Sequence, residues 1–134
     1  MAKSAFGRVQ GGILRSYVAD VALVAGVAVI AGVAANSVKL PTAANQRALG
    51  ITAAACAAGD PVDVLIQGEI IAIADAAITR GDYVKINAVT GQLASLTLAD
   101  GTTYQHVVGI ALETAAAQGD EILVYAQPAI VQTA

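Results

Sequence analysis

Residues 50–66 read G-I-T-A-A-A-C-A-A-G-D-P-V-D-V-L-I, and residues 109–125 read G-I-A-L-E-T-A-A-A-Q-G-D-E-I-L-V-Y. Each stretch is a Gly-led apolar segment, an alanine-rich connection, a Gly-Asp pair and a run of alternating apolar residues. A further Gly-Asp, Gly81-Asp82, precedes Tyr83-Val84-Lys85-Ile86. Glycine adopts backbone conformations that a Cβ forbids, and aspartate bonds nearby backbone, so Gly-Asp before an apolar run marks a turn entering a strand. The repetition describes architecture before it describes chemistry.

Working outward, residues 26–40 precede the first stretch as residues 81–96 precede the second, which predicts two pseudo-repeated halves closing on one core. Period-two alternation places Val62, Val64 and Ile66 on one strand face, and Ile122 and Val124 opposite Leu123 and Tyr125. Val84 and Ile86 alternate with Tyr83, Lys85 and Asn87 in the same way. Turn signals recur at Gly59-Asp60, Gly81-Asp82, Thr90-Gly91, Asp100-Gly101 and Gly119-Asp120, the punctuation of a small all-β sandwich or barrel. The alanine runs at 53–58 and 115–117 are too short to hold a helix and read as compact connections. The expected organisation is an extended N-terminal arm over residues 1–17, a β-domain over 18–128 and a tail over 129–134. Residues Ile13, Arg15 and Tyr17 alternate with Leu14 and Ser16, giving the second half of the arm a strand pattern.

The chain has 134 residues, a single domain's length. Only 13% of residues are charged, well below the roughly 25–35% of a typical soluble surface. Much of the 57% hydrophobic content is alanine, and there is no tryptophan. Such a lightly charged surface suits a subunit that covers itself with copies or partners. The net charge of −3 argues against broad attraction to nucleic acid. The basic residues Lys3, Arg8 and Arg15 nevertheless precede the first acid, Asp20, so a basic arm leads an acidic body. Residues 21–35 form an uncharged run rich in valine, alanine and glycine, shorter than the roughly 20 residues that span a bilayer. It reads as β-structure, not as a membrane or signal segment. Cys56 is the lone cysteine, so no disulfide forms within the chain.

Catalytic signals are weak. None of Lys3, Lys39 and Lys85 follows a glycine, so the phosphate loop Gly-x-x-x-x-Gly-Lys-Ser/Thr is missing. One histidine, His106, and one cysteine do not supply a zinc set. Asp60 with Asp63, and Asp120 with Glu121, sit at turns, where capping is their ordinary role. No serine stands in Gly-x-Ser-x-Gly. The expectation is a non-enzyme without cofactor or metal, with no nucleic-acid or membrane partner.

The succession V-A-G-V-A-V-I (24–30), A-G-D-P-V-D-V-L-I-Q-G-E-I (58–70), A-I-T-R-G-D-Y-V-K-I-N-A-V-T-G-Q-L (77–93), V-V-G-I-A-L-E (107–113) and G-D-E-I-L-V (119–124) resembles the tailed-phage capsid cement, or head decoration, proteins. That family has at times been labelled RecA/RadA-like recombinase, which the missing phosphate loop opposes here. The resemblance covers residues 24–125 and rests on Gly, Val and Ala. It departs at Ile86, where relatives often place an aromatic residue. It implies a small β-barrel or β-tulip-like subunit, commonly trimeric, that binds the outside of an icosahedral shell and bridges neighbouring capsomers of the major capsid protein. The expected location is the virion surface, and the host cytoplasm during assembly. Lys3, Phe6, Arg8, Ile13 and Arg15 are the expected capsid contacts, and Ile130 and Val131 the expected self-association contacts. The competing class is a lipoyl/biotinyl-type β-sandwich, which also uses duplicated halves and Gly-Asp turns. That class needs a lysine displayed on a tight hairpin.

Overall fold

In the computed structural model, which describes residues 9–96 and 104–132, every element is a strand. They are β1 (Val9–Ala19), β2 (Ala28–Ala31), β3 (Ser37–Lys39), β4 (Gly50–Thr52), β5 (Pro61–Ile73), β6 (Tyr83–Ile86), β7 (Leu93–Ser95), β8 (Tyr104–Ala111) and β9 (Glu121–Gln132). They form one mixed sheet in the order β1-β3-β2-β4-β5-β9-β8-β6-β7. Two units of like connectivity, β3-β2-β4-β5 and β7-β6-β8-β9, therefore meet where β5 pairs with β9. The strand β1 runs parallel to β3 at Val18 and Ala19 and antiparallel to β5 from Val9 to Val18. This closes β1, β3, β2, β4 and β5 into a barrel-like ring. An equivalent parallel bridge, Ala74 to Leu93, joins the end of β5 to β7 and closes the second ring.

The repeat is deeper than the two stretches visible in the sequence. Gly26, Gly59, Gly81 and Gly119 all take left-handed φ, between 85° and 94°, and each ends a connection. In three of them the following aspartate N–H donates back three residues: Asp60 to Ala57, Asp82 to Thr79 and Asp120 to Ala117. A glycine with positive φ at the third turn position is the signature of a type II turn. The connections pair off by Leu23 with Cys56 and by Ile78 with Ala115. In one pair Ala19 donates to the Asp60 carbonyl and Gly59 to that of Ala19; in the other Ala74 donates to Asp120 and Gly119 to Ala74. Four short connections thus build two pairs. The alanine runs are these connections, where small side chains let the backbones meet.

Packing follows the same duplication. One cluster holds Ala19, Leu23, Val29, Val38, Val62 and Val64 inside the first ring. Ala74, Ile78, Val84, Leu93, Ile122 and Val124 take the corresponding places in the second, within a larger cluster that also contains Ile51, Leu65 and Ile70. Each such fully buried branched side chain stabilises the fold by roughly 1.5–3 kcal/mol relative to exposure.

The expected alternation holds in β6, where Val84 and Ile86 are buried, and in β9, where Ile122, Val124 and Ala126 are buried. It fails for Ile66. The β1–β5 register steps from Ile13 opposite Gln67 to Leu14 opposite Leu65, so β5 carries an extra residue there. Such a bulge reverses the faces. Val62 and Val64 enter one cluster, Leu65 and Ile70 the other, and Ile66 is left half-buried at the bulge. Three residues of the expected arm's strand pattern, Ile13, Arg15 and Tyr17, lie in β1, paired along β5.

Candidate docking surface

The register of the sheet brings one outward-facing residue from each of five strands into a line. Gly11 lies opposite Glu69, Glu69 opposite Tyr125, Tyr125 opposite Ile110, and Ile110 opposite Tyr83. Period two explains the face: in β9 Ile122, Val124 and Ala126 point inward, so Leu123, Tyr125 and Gln127 point out. In β6 buried Val84 leaves Tyr83 outside in the same way. Ile110 and Tyr83 remain 37% and 36% exposed, although each is large and apolar enough to prefer burial. Exposed tyrosine beside aliphatic side chains is the composition of a contact centre.

Two open grooves flank this row and share Tyr125. One, of about 360 Å³, is lined by Gly11, Gly12, Ile13, Gln67, Gly68, Glu69 and Tyr125. The other, of about 250 Å³, includes Tyr83, Ile110, Gln127 and Val131. The Gln67 amide donates to the Tyr125 hydroxyl at 3.3 Å and steadies the ring between the grooves. Glu69 is the only charged group lining the first groove among the described residues.

Of the expected capsid contacts, Ile13 and Arg15 share one side of β1. Ile13 is 53% exposed and borders the first groove. The Arg15 guanidinium carbon lies 5.9 Å from the centroid of the Tyr17 ring, within cation–π range. Lys3, Phe6 and Arg8 lie outside the described residues. Alternation separates the two expected self-association residues. Val131 lines the second groove, whereas Ile130, 55% exposed, projects from the opposite face beside His106. Residues near both chain ends thus border Tyr125. Sequence reading passed over Tyr125, Ile110 and Tyr83 because their alignment depends on register, although the outward phase of Tyr83 and Tyr125 was readable.

Elsewhere the polar groups serve the frame. Asp120 accepts from the Ala116 and Ala117 N–H groups at 2.8 and 3.1 Å. Asp75 accepts from Asn87 at 2.6 Å and from Gln118 at 2.9 Å. His106 Nδ1 is buried without a hydrogen-bond partner, and the residue borders a cleft with Arg47, Asn45 and Gln46 that contains no carboxylate among its described lining. Among the described residues, no group of three or more His, Cys, Asp or Glu side chains could hold a metal ion. Among the same residues, no helix is long and apolar enough to cross a membrane. Lys39 ends β3 and Lys85 lies within β6, so neither stands at the tip of a hairpin.

Comparison with known proteins adds two findings. The family model described as "Phage cement protein" matches residues 9–126. The fold is similar to the crystal structure of the head fiber gp8.5 N base in bacteriophage phi29, with a TM-score of 0.64 at 18% identity, covering 86% of this chain and 93% of that one. Curated protein sequences gave no match.

Proposed function

The chain belongs to the phage cement protein family, a structural component of the phage head, and from this premise we propose that it binds the outer surface of an icosahedral shell and holds neighbouring capsomers together. The supporting observation is the outward-facing line Glu69, Tyr125, Ile110 and Tyr83, flanked by two grooves, on a frame in which Asp82 and Asp120 brace turns. Packaged genome pushes a shell outward. A subunit seated across a seam adds contact area that must be broken before the seam parts. With many copies per shell, a modest contact energy per copy sums to a large effect. The role is mechanical and needs no bond-making chemistry.

In this reading the row faces the shell. Tyr125 and Tyr83 supply rigid, amphipathic contact at small entropic cost, and the grooves take protruding side chains of the major capsid protein. Arg15 and Ile13 extend that face along β1. Lys3, Phe6 and Arg8 carry it further, with the basic groups steering the subunit to acidic shell surface. The copies sit as homotrimers at three-fold and quasi-three-fold positions, and the protein passes from host cytoplasm to virion on assembly.

Cosedimentation with expanded, undecorated shells tests the assignment. Removing residues 2–8 leaves every described strand in place. The shortened protein should keep its fold and lose occupancy on shells, most strongly at higher salt. Occupancy equal to that of the full chain would refute the arm's part in binding.

A further inference from the structure

We infer that copies of this chain join by strand addition, the outer edge of β1 in one copy taking the open edge of β9, residues 127–132, in the next. The inference deepens the proposal that copies of the chain meet as an oligomer on the shell, and rests on that reading.

The first open edge is set by hydrogen-bond direction. The Ala19 N–H points inward, to the Asp60 carbonyl, whereas the Val18 N–H points away from β5, to the Asn36 carbonyl. Successive residues of a strand alternate, so the N–H and C=O groups of Ser16, Leu14 and Gly12 also point away from β5. Among the described residues, β1 pairs along that side with β3 only, and only at Val18 and Ala19. Residues 9–17 therefore present a strand edge of nine residues whose only described charge is Arg15. An edge of that length and so little charge is a template for another strand.

The second open edge is identified by the internal repeat. β9 corresponds to β5, with Glu121 and Val124 in the places of Pro61 and Val64. In β5 the residues Gln67, Gly68, Glu69 and Ile70 are covered on one side by β1, running antiparallel through Ile13, Gly12, Gly11 and Val9. Among the described residues, the matching residues of β9, 127–130, have no such cover: pairing with β5 stops at Ala126, and β8 occupies only the other side. The fold thus shows what seats on this kind of edge, an antiparallel strand, and no described strand takes the place on β9. Residues 127–132, Gln-Pro-Ala-Ile-Val-Gln, carry no charge to repel a neighbour.

The two open edges lie on different strands, so a contact between them is head-to-tail. Such contacts close into rings when the rotation allows, which accords with a three-fold assembly. Backbone pairing supplies the affinity, and alternate side chains supply selectivity.

The test uses the full chain and Ser16→Pro. Proline removes an N–H that points away from β5 and leaves the β1–β5 ladder intact, a position where edge strands tolerate it. A second variant ends after Pro128. Light scattering coupled to size exclusion should find oligomers for the wild type and monomers for both variants, each with a cooperative melt. Mixing the two variants should restore a one-to-one dimer, because each retains the edge the other lacks. A wild type that stays monomeric at the highest attainable concentration overturns the inference. So does a truncated variant that still self-associates, the result of β1 pairing with β1. If Ser16→Pro melts without cooperativity, amide exchange in the wild type decides: the Gly12, Leu14 and Ser16 amides should gain protection with concentration, and unchanged protection refutes the contact. Shell binding of the monomeric variants, measured separately, tells failure of this interface from failure of the cement assignment.

Discussion

Gly12 of β1 stands directly opposite Gly68 of β5, and each occupies the space a Cβ on the other would need. A Cβ on Gly12 would strike the Gln67 carbonyl, and one on Gly68 the Gly11 carbonyl. Their φ angles, 141° and 135°, add strain for any other residue. Gly68→Ala is therefore expected to destabilise the fold by about 1–3 kcal/mol, the range of overpacking, and to loosen β1 first. Urea unfolding measures the first effect, and amide exchange over residues 9–17 the second.

The β5 bulge makes neighbouring residues unequal. Leu65 is fully buried in the larger cluster, whereas Ile66 is only half-buried. Leu65→Ala should cost about 2–5 kcal/mol and Ile66→Ala clearly less. A larger loss at Ile66 would restore the simple alternation that the sequence suggests.

The Gly-Asp turns look alike in sequence but are not equally braced. Asp120 accepts two backbone N–H groups, while the exposed Asp60 makes no side-chain hydrogen bond among those described. Asp120→Ala should lower stability by about 1–2 kcal/mol. Asp60→Ala should stay within about 0.5 kcal/mol of wild type, as an ordinary surface substitution does. Equal losses in parallel thermal melts would contradict this ranking.

Much of the architecture was legible because turn chemistry is local. Gly59, Gly81 and Gly119 announce their turns through the aspartate that follows, and Val84 and Ile86 or Ile122 and Val124 announce buried faces through alternation. Gly26, the fourth turn glycine, lacks the aspartate, and its place is legible only from the match of residues 26–40 with 81–96. Register is another matter. One extra residue at the β5 bulge reverses which side chains are inside, and hydropathy does not reveal it at Ile66. The candidate surface was half legible for the same reason. Ile13 and Val131 were singled out as apolar residues near the chain ends, but Tyr125, between them, gains its importance only from the pairing of β5, β9 and β8.

The exposed row separates binding from folding. Tyr83→Ser with Ile110→Ser alters two solvent-facing side chains and leaves Val84, Val108 and Ala111 in place. Stability should change by no more than about 0.5 kcal/mol per site, while occupancy on shells falls severalfold. Unfolding measured by circular dichroism checks the first part and cosedimentation the second. Tyr125→Phe should cost less binding than Tyr125→Ser, since it keeps the ring and loses only the hydrogen bond with Gln67.

The most direct measurement is the heat stability of expanded shells titrated with the purified protein, followed by calorimetry and by the amount of protein bound. Saturable binding, with the shell's disruption temperature rising in step with occupancy, is the predicted outcome. Shells that bind none of it, or that bind it and come apart at an unchanged temperature, would contradict a mechanical role on the phage head.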